Sequence, residues 1–178
     1  MICSVKEHSK ESVPVFWARG RHYDVGYRIG QLTQDLVQEC VTQNATLQQK
    51  LLPFYNTQDG HRVVQNFLNT TKAVFPQYID ELKGTADGAK VSFIELFLYH
   101  IENELKERLN IRTEQEGCTD ILINLPEAHV TAHSEDVRPS FLNKCFIVQV
   151  VIVSDVTGEE VENFTAFTYP GSPCCIDV

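Results

Sequence analysis

Positive charge is scarce in this chain and nowhere gathered. Fifteen Lys and Arg stand against 24 Asp and Glu, for a net charge of −9 and a pI near 5.1. Phosphate recognition needs clustered cations, so nucleic acid is excluded as a partner. Long apolar runs are also missing. No stretch approaches the ~20 residues that span a bilayer, so no membrane partner is expected. The opening MICSVKEHSKESVP has no apolar h-region, and residues 1–12 are expected to form a disordered lead rather than a secretory signal. The six cysteines (Cys3, Cys40, Cys118, Cys145, Cys174, Cys175) are too scattered for a disulfide framework. Without secretion, the sequons at Asn44, Asn69 and Asn163 read as chance. These absences together predict a reduced, cytoplasmic protein. Internal repeats and low-complexity tracts are absent too.

What is present is an ordinary globular content, 43% hydrophobic and 22% charged, which allows one domain with a proper core. VPVFWARG (13–20) reads as a strand with Phe16 and Trp17 in the core. A helix capped by Asp24 follows, with Val25, Ile29, Leu32, Leu36 and Cys40 on one stripe. Gly26 and Gly30 fall one turn apart on it, and glycine costs a helix ~1 kcal/mol, so a tight helix–sheet contact is expected there. Pro53 and NTQDG (56–60) break the chain. A second helix carries Val63, Val64, Phe67, Leu68 and Phe75. A third starts at Pro76, and a fourth runs from Ser92 with Phe93, Ile94, Phe97, Leu98, Ile101 and Leu105 on one face. Its far side, Glu102, Lys106 and Glu107, reads as a solvated face.

Near residue 111 the pattern changes from helical to strand-like. CTDILIN, HVTAHSE, KCFIVQVVIV and NFTAFTY fall at hairpin spacing, with turns at Pro126 and Thr157–Gly158. The expected class is α+β: helices first, then an antiparallel sheet buried on both sides. The expected divisions are a strand plus helical segment at 13–110, a linker at 111–117, a sheet segment at 118–171 and an atypical tail at 172–178.

The linker ends at Gly117–Cys118, which opens a strand. A cysteine there can serve as the first residue of a mature subunit, its thiol activated by its own α-amine, whose pKa lies near ~7.7–8.0. Glycine before it tolerates the strained backbone through which the thiol attacks the preceding carbonyl. Asp136, on the adjacent strand if the two form a hairpin, can orient the amine. His129 and His133 share a strand face with Thr131, but no further ligand at metal spacing accompanies them, and no metal or cofactor is expected.

RGRHYDVGYRIGQ, ELKGTADGAKVSF, EGCTDILIN and AHSEDV occur in this order in the isopenicillin N acyltransferase-like proteins, and the chain resembles that family over residues 14–171. The resemblance implies an N-terminal-nucleophile hydrolase with an αββα sandwich, incomplete in this chain. It also implies cleavage between Gly117 and Cys118, Cys118 as nucleophile, its amine as base, and Asp136 in the site. His133 and Thr119 are candidate substrate-binding residues. The implied reaction is hydrolysis of small N-acyl amines, such as β-alanyl conjugates of dopamine or histamine, through an acyl-enzyme. The partners would be that small molecule and the chain's own processed subunit or a full-length homologue. Relatives continue well beyond Val178, and SPCCIDV departs from their pattern, so a truncated, catalytically incompetent product is one alternative. An acyl-CoA-dependent N-acyltransferase, which would use the same nucleophile, is the other.

Overall fold

The computed structural model describes residues 13–112, 117–136 and 142–173. The 1–12 lead, most of the linker and the Cys174–Cys175 pair therefore lie outside the described residues. Strand β1 (Val15–Gly20) leads into α1 (His22–Leu32) and α2 (Gln34–Gln43). A π-helical turn (Leu47–Leu51) and the short α3 (Leu52–Tyr55) follow, then α4 (Gln58–Val74), α5 (Pro76–Ala89), α6 (Phe93–His100) and α7 (Glu102–Leu109). Strands β2 (Gly117–Leu125), β3 (Ala128–Asp136), β4 (Phe146–Val153) and β5 (Glu160–Thr168) complete an α+β chain. Among the described residues no helix is long and apolar enough to cross a membrane.

The glycines explain how the helices are arranged. Gly26 and Gly30 of α1 lie against Gly84 and Gly88 of α5, and the contact is reciprocal. A Cβ on Gly26 would stand 2.0 Å from the Glu81 carbonyl oxygen, and one on Gly30 would stand 2.4 Å from that of Thr85. A Cβ on Gly84 or Gly88 would come within 2.1 Å of the Tyr23 or Tyr27 carbonyl oxygen. Both rows advance in the same direction, so α1 and α5 run parallel with their backbones touching. The partner of the α1 glycines is thus a helix, and the expected helix–sheet contact is corrected. Side-chain-free contact lets carbonyls approach Cα–H groups at the seam. The rest of α1 is then free to face the sheet with Val25 and Ile29.

Two apolar clusters meet across this seam. Val25 and Ile29 join Ala18, Phe146, Val148, Val150 and Ile152 beneath the sheet. Ile79, Leu82, Ala86 and Ala89 of α5 join Val37, Val41, Leu47, Leu51, Leu96, Leu98 and Leu105 in the larger helical cluster. Each such side chain, fully buried, contributes roughly 1.5–3 kcal/mol.

Several sequence expectations are redrawn by the packing. Helix α1 begins before Asp24, whose carboxylate accepts the Arg21 N–H at 3.3 Å from the third helical position. The single stripe from Val25 to Cys40 is interrupted at Thr33, whose hydroxyl donates to the Ile29 carbonyl at 2.8 Å and competes with the helix ladder. Leu32 is consequently left exposed. Pro53 does not break the chain, because it occupies the first turn of α3, where its missing N–H is not needed. The fourth helix divides at Ile101. The turn carries Glu102 and Lys106 inward: Lys106 Nζ lies 2.6 Å from Glu102 Oε1, and Asn44 Nδ2 donates to Glu102 Oε2 at 2.6 Å. Two of the three residues expected on a solvated face are therefore a buried ion pair, and Asn44 is a structural residue at a sequon.

The strands form two separate sheets. β4 is central in a three-stranded sheet of order β1-β4-β5, parallel to β1 and antiparallel to β5. The sheet is therefore mixed, because the N-terminal strand joins it, and the expected wholly antiparallel sheet is corrected. Only one face of β4 is fully buried; Gln149 on the other face is exposed. Phe16 packs inward with its ring 5.3 Å from that of Phe146, but Trp17 lies on the outer face, 58% exposed, and is not a core residue.

The seam yields a sharp expectation. Replacing glycine by alanine within a helix ordinarily gains up to ~1 kcal/mol, but Gly26→Ala must force two backbones apart and is expected to cost about 3 kcal/mol or more. Thermal unfolding followed by circular dichroism should show the melting temperature falling by on the order of 5–10 °C. A melting temperature that stays or rises would mean that α1 and α5 do not touch at this spacing.

Candidate functional site

The Gly117–Cys118 junction opens the second sheet, a hairpin of β2 and β3 joined at Pro126–Glu127. Its register follows from the tight turn: Leu125 pairs with Ala128, and the ladder runs back to Cys118 opposite Glu135 and Gly117 opposite Asp136. The sequence-predicted Asp136 is thus brought to the start of β2, across from the residue preceding Cys118. Thr119 pairs with Ser134 and Asp120 with His133. Side chains alternate along a strand and directly paired residues share a face. One face of the ribbon therefore holds Thr119, Ile121, Ile123 and Leu125 with Ala128, Val130, Ala132 and Ser134. The opposite face holds positions 118, 120, 122 and 124 with 129, 131, 133 and 135.

The register separates the candidate residues. Cys118 pairs with Glu135 and Thr119 with Ser134, while His133 pairs with Asp120 and Asp136 with Gly117. Sequence reasoning passed over Glu135, the residue directly across from Cys118. A count back from the Pro126 turn would have identified it. Cys118 carries an exposed thiol, and Asp120 is exposed as well. Among the described residues no group of three His, Cys, Asp or Glu could hold a metal ion.

Away from the hairpin, two histidines carry the main electrostatic features, and neither was singled out from the sequence. His22, at the start of α1, has Nδ1 3.3 Å from Glu81 Oε2 and Nε2 3.8 Å from Glu162 Oε1. It borders an open cleft of about 490 Å³ lined also by Arg21, Tyr23, Gln77, Asp80 and Asp155. The hydrogen bond to Glu81 raises its pKa above the ordinary 6.5, against the opposing effect of burial. His100 is the reverse: burial lowers its pKa, while its Nε2–H donates to the Gly171 carbonyl at 2.7 Å. That bond fastens the TYPG segment (168–171) to α6, and Thr168, Pro170 and Gly171 are buried there.

The sign of each linkage is opposite. His22, raised in the folded state, stabilises the protein fully below pH ~6.5, and this contribution is lost as pH rises through its folded pKa. His100, lowered in the folded state, makes the fold less stable as pH falls below ~6.5. The difference in melting temperature between the wild type and His22→Asn should therefore be greatest near pH 5.5 and shrink above neutrality. A difference independent of pH would show that His22 does not ionise against Glu81.

No family model matches the chain. A β-alanyl-dopamine/carcinine hydrolase of Drosophila melanogaster is 31% identical to it over 170 residues, which cover 91% of this chain and 44% of the relative. The chain thus spans less than half the length of that hydrolase. Over that extent the chain is similar to the Drosophila hydrolase.

Proposed function

We propose that the chain is an autoprocessing cysteine amidohydrolase of the N-terminal-nucleophile type. Its substrates would be small N-acyl amines, with β-alanyl conjugates of dopamine or histamine the best candidates. The observation that carries this reading is the Gly117–Cys118 junction at the first residues of β2, with Asp136 paired opposite Gly117, in a chain similar to a named β-alanyl-dopamine/carcinine hydrolase.

In this reading the Cys118 thiol attacks the Gly117 carbonyl, and the peptide bond gives way to a thioester that water hydrolyses. The new amine of Cys118 then acts as base for its own thiol, with Asp136 orienting it by a charge-assisted hydrogen bond. Catalysis repeats the chemistry on substrate: thiolate attack on the amide, departure of the amine, and release of the acid by water. Thr119 and His133 are the candidate substrate contacts. The segments before and after the cut correspond to 13–110 and 118–171, with 111–117 as the processing linker. They share a sheet, because β1 pairs with β4 from Val15↔Ile147 to Gly20↔Ile152. Cleavage would therefore leave the two pieces held together. The complete αββα sandwich would place a second sheet over the outer face that exposes Val15, Trp17 and Phe167.

A second reading, a non-catalytic partner of a full-length homologue, is favoured by the exposure of Ile121, Leu122 and Leu125 on the hairpin. Mass spectrometry of the expressed protein separates the two. Wild type should split after Gly117, while Cys118→Ala stays whole and loses hydrolysis of β-alanyl-dopamine by on the order of 10⁴-fold. An intact wild type would overturn autoprocessing and leave the second reading.

A further inference from the structure

The two candidate substrates differ in the amine and share the acyl group. A β-alanyl group offers an enzyme little to hold: two methylenes and a terminal ammonium. A site that selects it needs an anion at a set distance from the nucleophile. Strand β2 supplies one. Side chains on one side of a strand recur every second residue, ~6.8 Å apart, so Cys118 and Asp120 are successive residues on the same side of β2. Both are exposed there. Among the described side chains on that side of the hairpin, the only carboxylate is that of Asp120.

The strand step matches the length of the acyl group. In a β-alanyl thioester on Cys118 the extended chain carries its nitrogen ~5 Å from the sulfur. An ammonium–carboxylate hydrogen bond adds ~2.8 Å. Together these reach across the ~6.8 Å between the two positions and leave slack for the chain to bend. We propose that Asp120 is a specificity-determining residue, its carboxylate receiving the ammonium of the β-alanyl group while Cys118 holds the carbonyl carbon. Its role in turnover rests on the amidohydrolase reading. The placement of a carboxylate one strand step from the thiol does not.

Turnover tests the assignment through a preference between acyl groups. Butanoyl-dopamine has the shape of β-alanyl-dopamine with a methyl group in place of the ammonium. A hydrogen bond between charged groups separates two such substrates by on the order of 10–100-fold. Wild type should therefore favour β-alanyl-dopamine in kcat/KM by about that factor over butanoyl-dopamine, and Asp120→Asn should lose most of the preference. Asp120→Lys should turn the preference toward succinyl-dopamine, whose acyl group ends in a carboxylate.

A second measurement reads the same pair without turnover. 2-Aminoethyl methanethiosulfonate leaves on a thiol an ammonium two methylenes from the new sulfur, much as the β-alanyl group does, and propyl methanethiosulfonate leaves its neutral counterpart. Trypsin cutting after Arg112 and Lys144 puts Cys118 on a peptide with no other cysteine, whether or not the chain has split after Gly117. The ratio of the two modification rates at Cys118 cancels the thiolate fraction, which is common to both reagents. That ratio should be about threefold or more higher in wild type than in Asp120→Asn, and lowest in Asp120→Lys. Equal ratios in wild type and Asp120→Asn would overturn the assignment. So would hydrolysis of β-alanyl-dopamine whose preference over the butanoyl analogue survives Asp120→Asn, and that result would leave the amidohydrolase reading standing. A wild type that hydrolyses neither substrate yet shows the Asp120-dependent ratio would refute the amidohydrolase reading and keep Asp120 as the ammonium contact beside the thiol.

Discussion

The backbone contact between α1 and α5 is the constraint on which the rest of the structure depends. Glycine at positions 26, 30, 84 and 88 removes every side chain from the seam, so two parallel helices meet carbonyl against Cα. With that side of α1 occupied, its Val25 and Ile29 are directed to the sheet, while α5 gives Leu82, Ala86 and Ala89 to the helical cluster. One helix pair thereby fixes the sheet against the helical layer. The sheet in turn takes β1 from the N-terminal segment and β4 and β5 from the C-terminal one.

That arrangement bears on the proposed chemistry through connectivity. A cut at Gly117 would fall between β1 and β4 in the chain but would break none of their pairing. Polar fastenings add to this across the same division. Arg19 approaches Glu160 at 3.5 Å, Lys144 approaches Glu39 at 2.9 Å, and His100 holds the Gly171 carbonyl. The exposed Arg19–Glu160 pair contributes little. The partly buried His100 contact does more to place the TYPG segment, because a polar group lost there would be left without water to replace its partner.

The register of the hairpin that carries the candidate site was legible from the sequence, since strand alternation and a two-residue turn at Pro126 determine it almost completely. Asp136 came to the start of β2 for that reason. What was passed over was the pairing itself: Asp136 pairs with Gly117, and the backbone partner of Cys118 is Glu135. Helical periodicity was less reliable wherever a helix divides. The Phe93–Leu105 stripe assumed one continuous helix, and the break at Ile101 turned Glu102 and Lys106 inward, where Asn44 completes the pair. The parallel placement of β1 depended on the path of α1 over the sheet, which no local pattern encodes. The matching glycine pairs on two helices were a signal of helix–helix contact, but read one helix at a time they suggested only tight packing.

The central claim is that Cys118 forms the acyl-enzyme. The most direct measurement is acid quenching of the protein during turnover of β-alanyl-dopamine, followed by peptide mass spectrometry. The account predicts a β-alanyl thioester on a peptide that begins at Cys118. Product formation with the acyl group on another residue, or with none trapped on Cys118 under conditions that preserve thioesters, would contradict it.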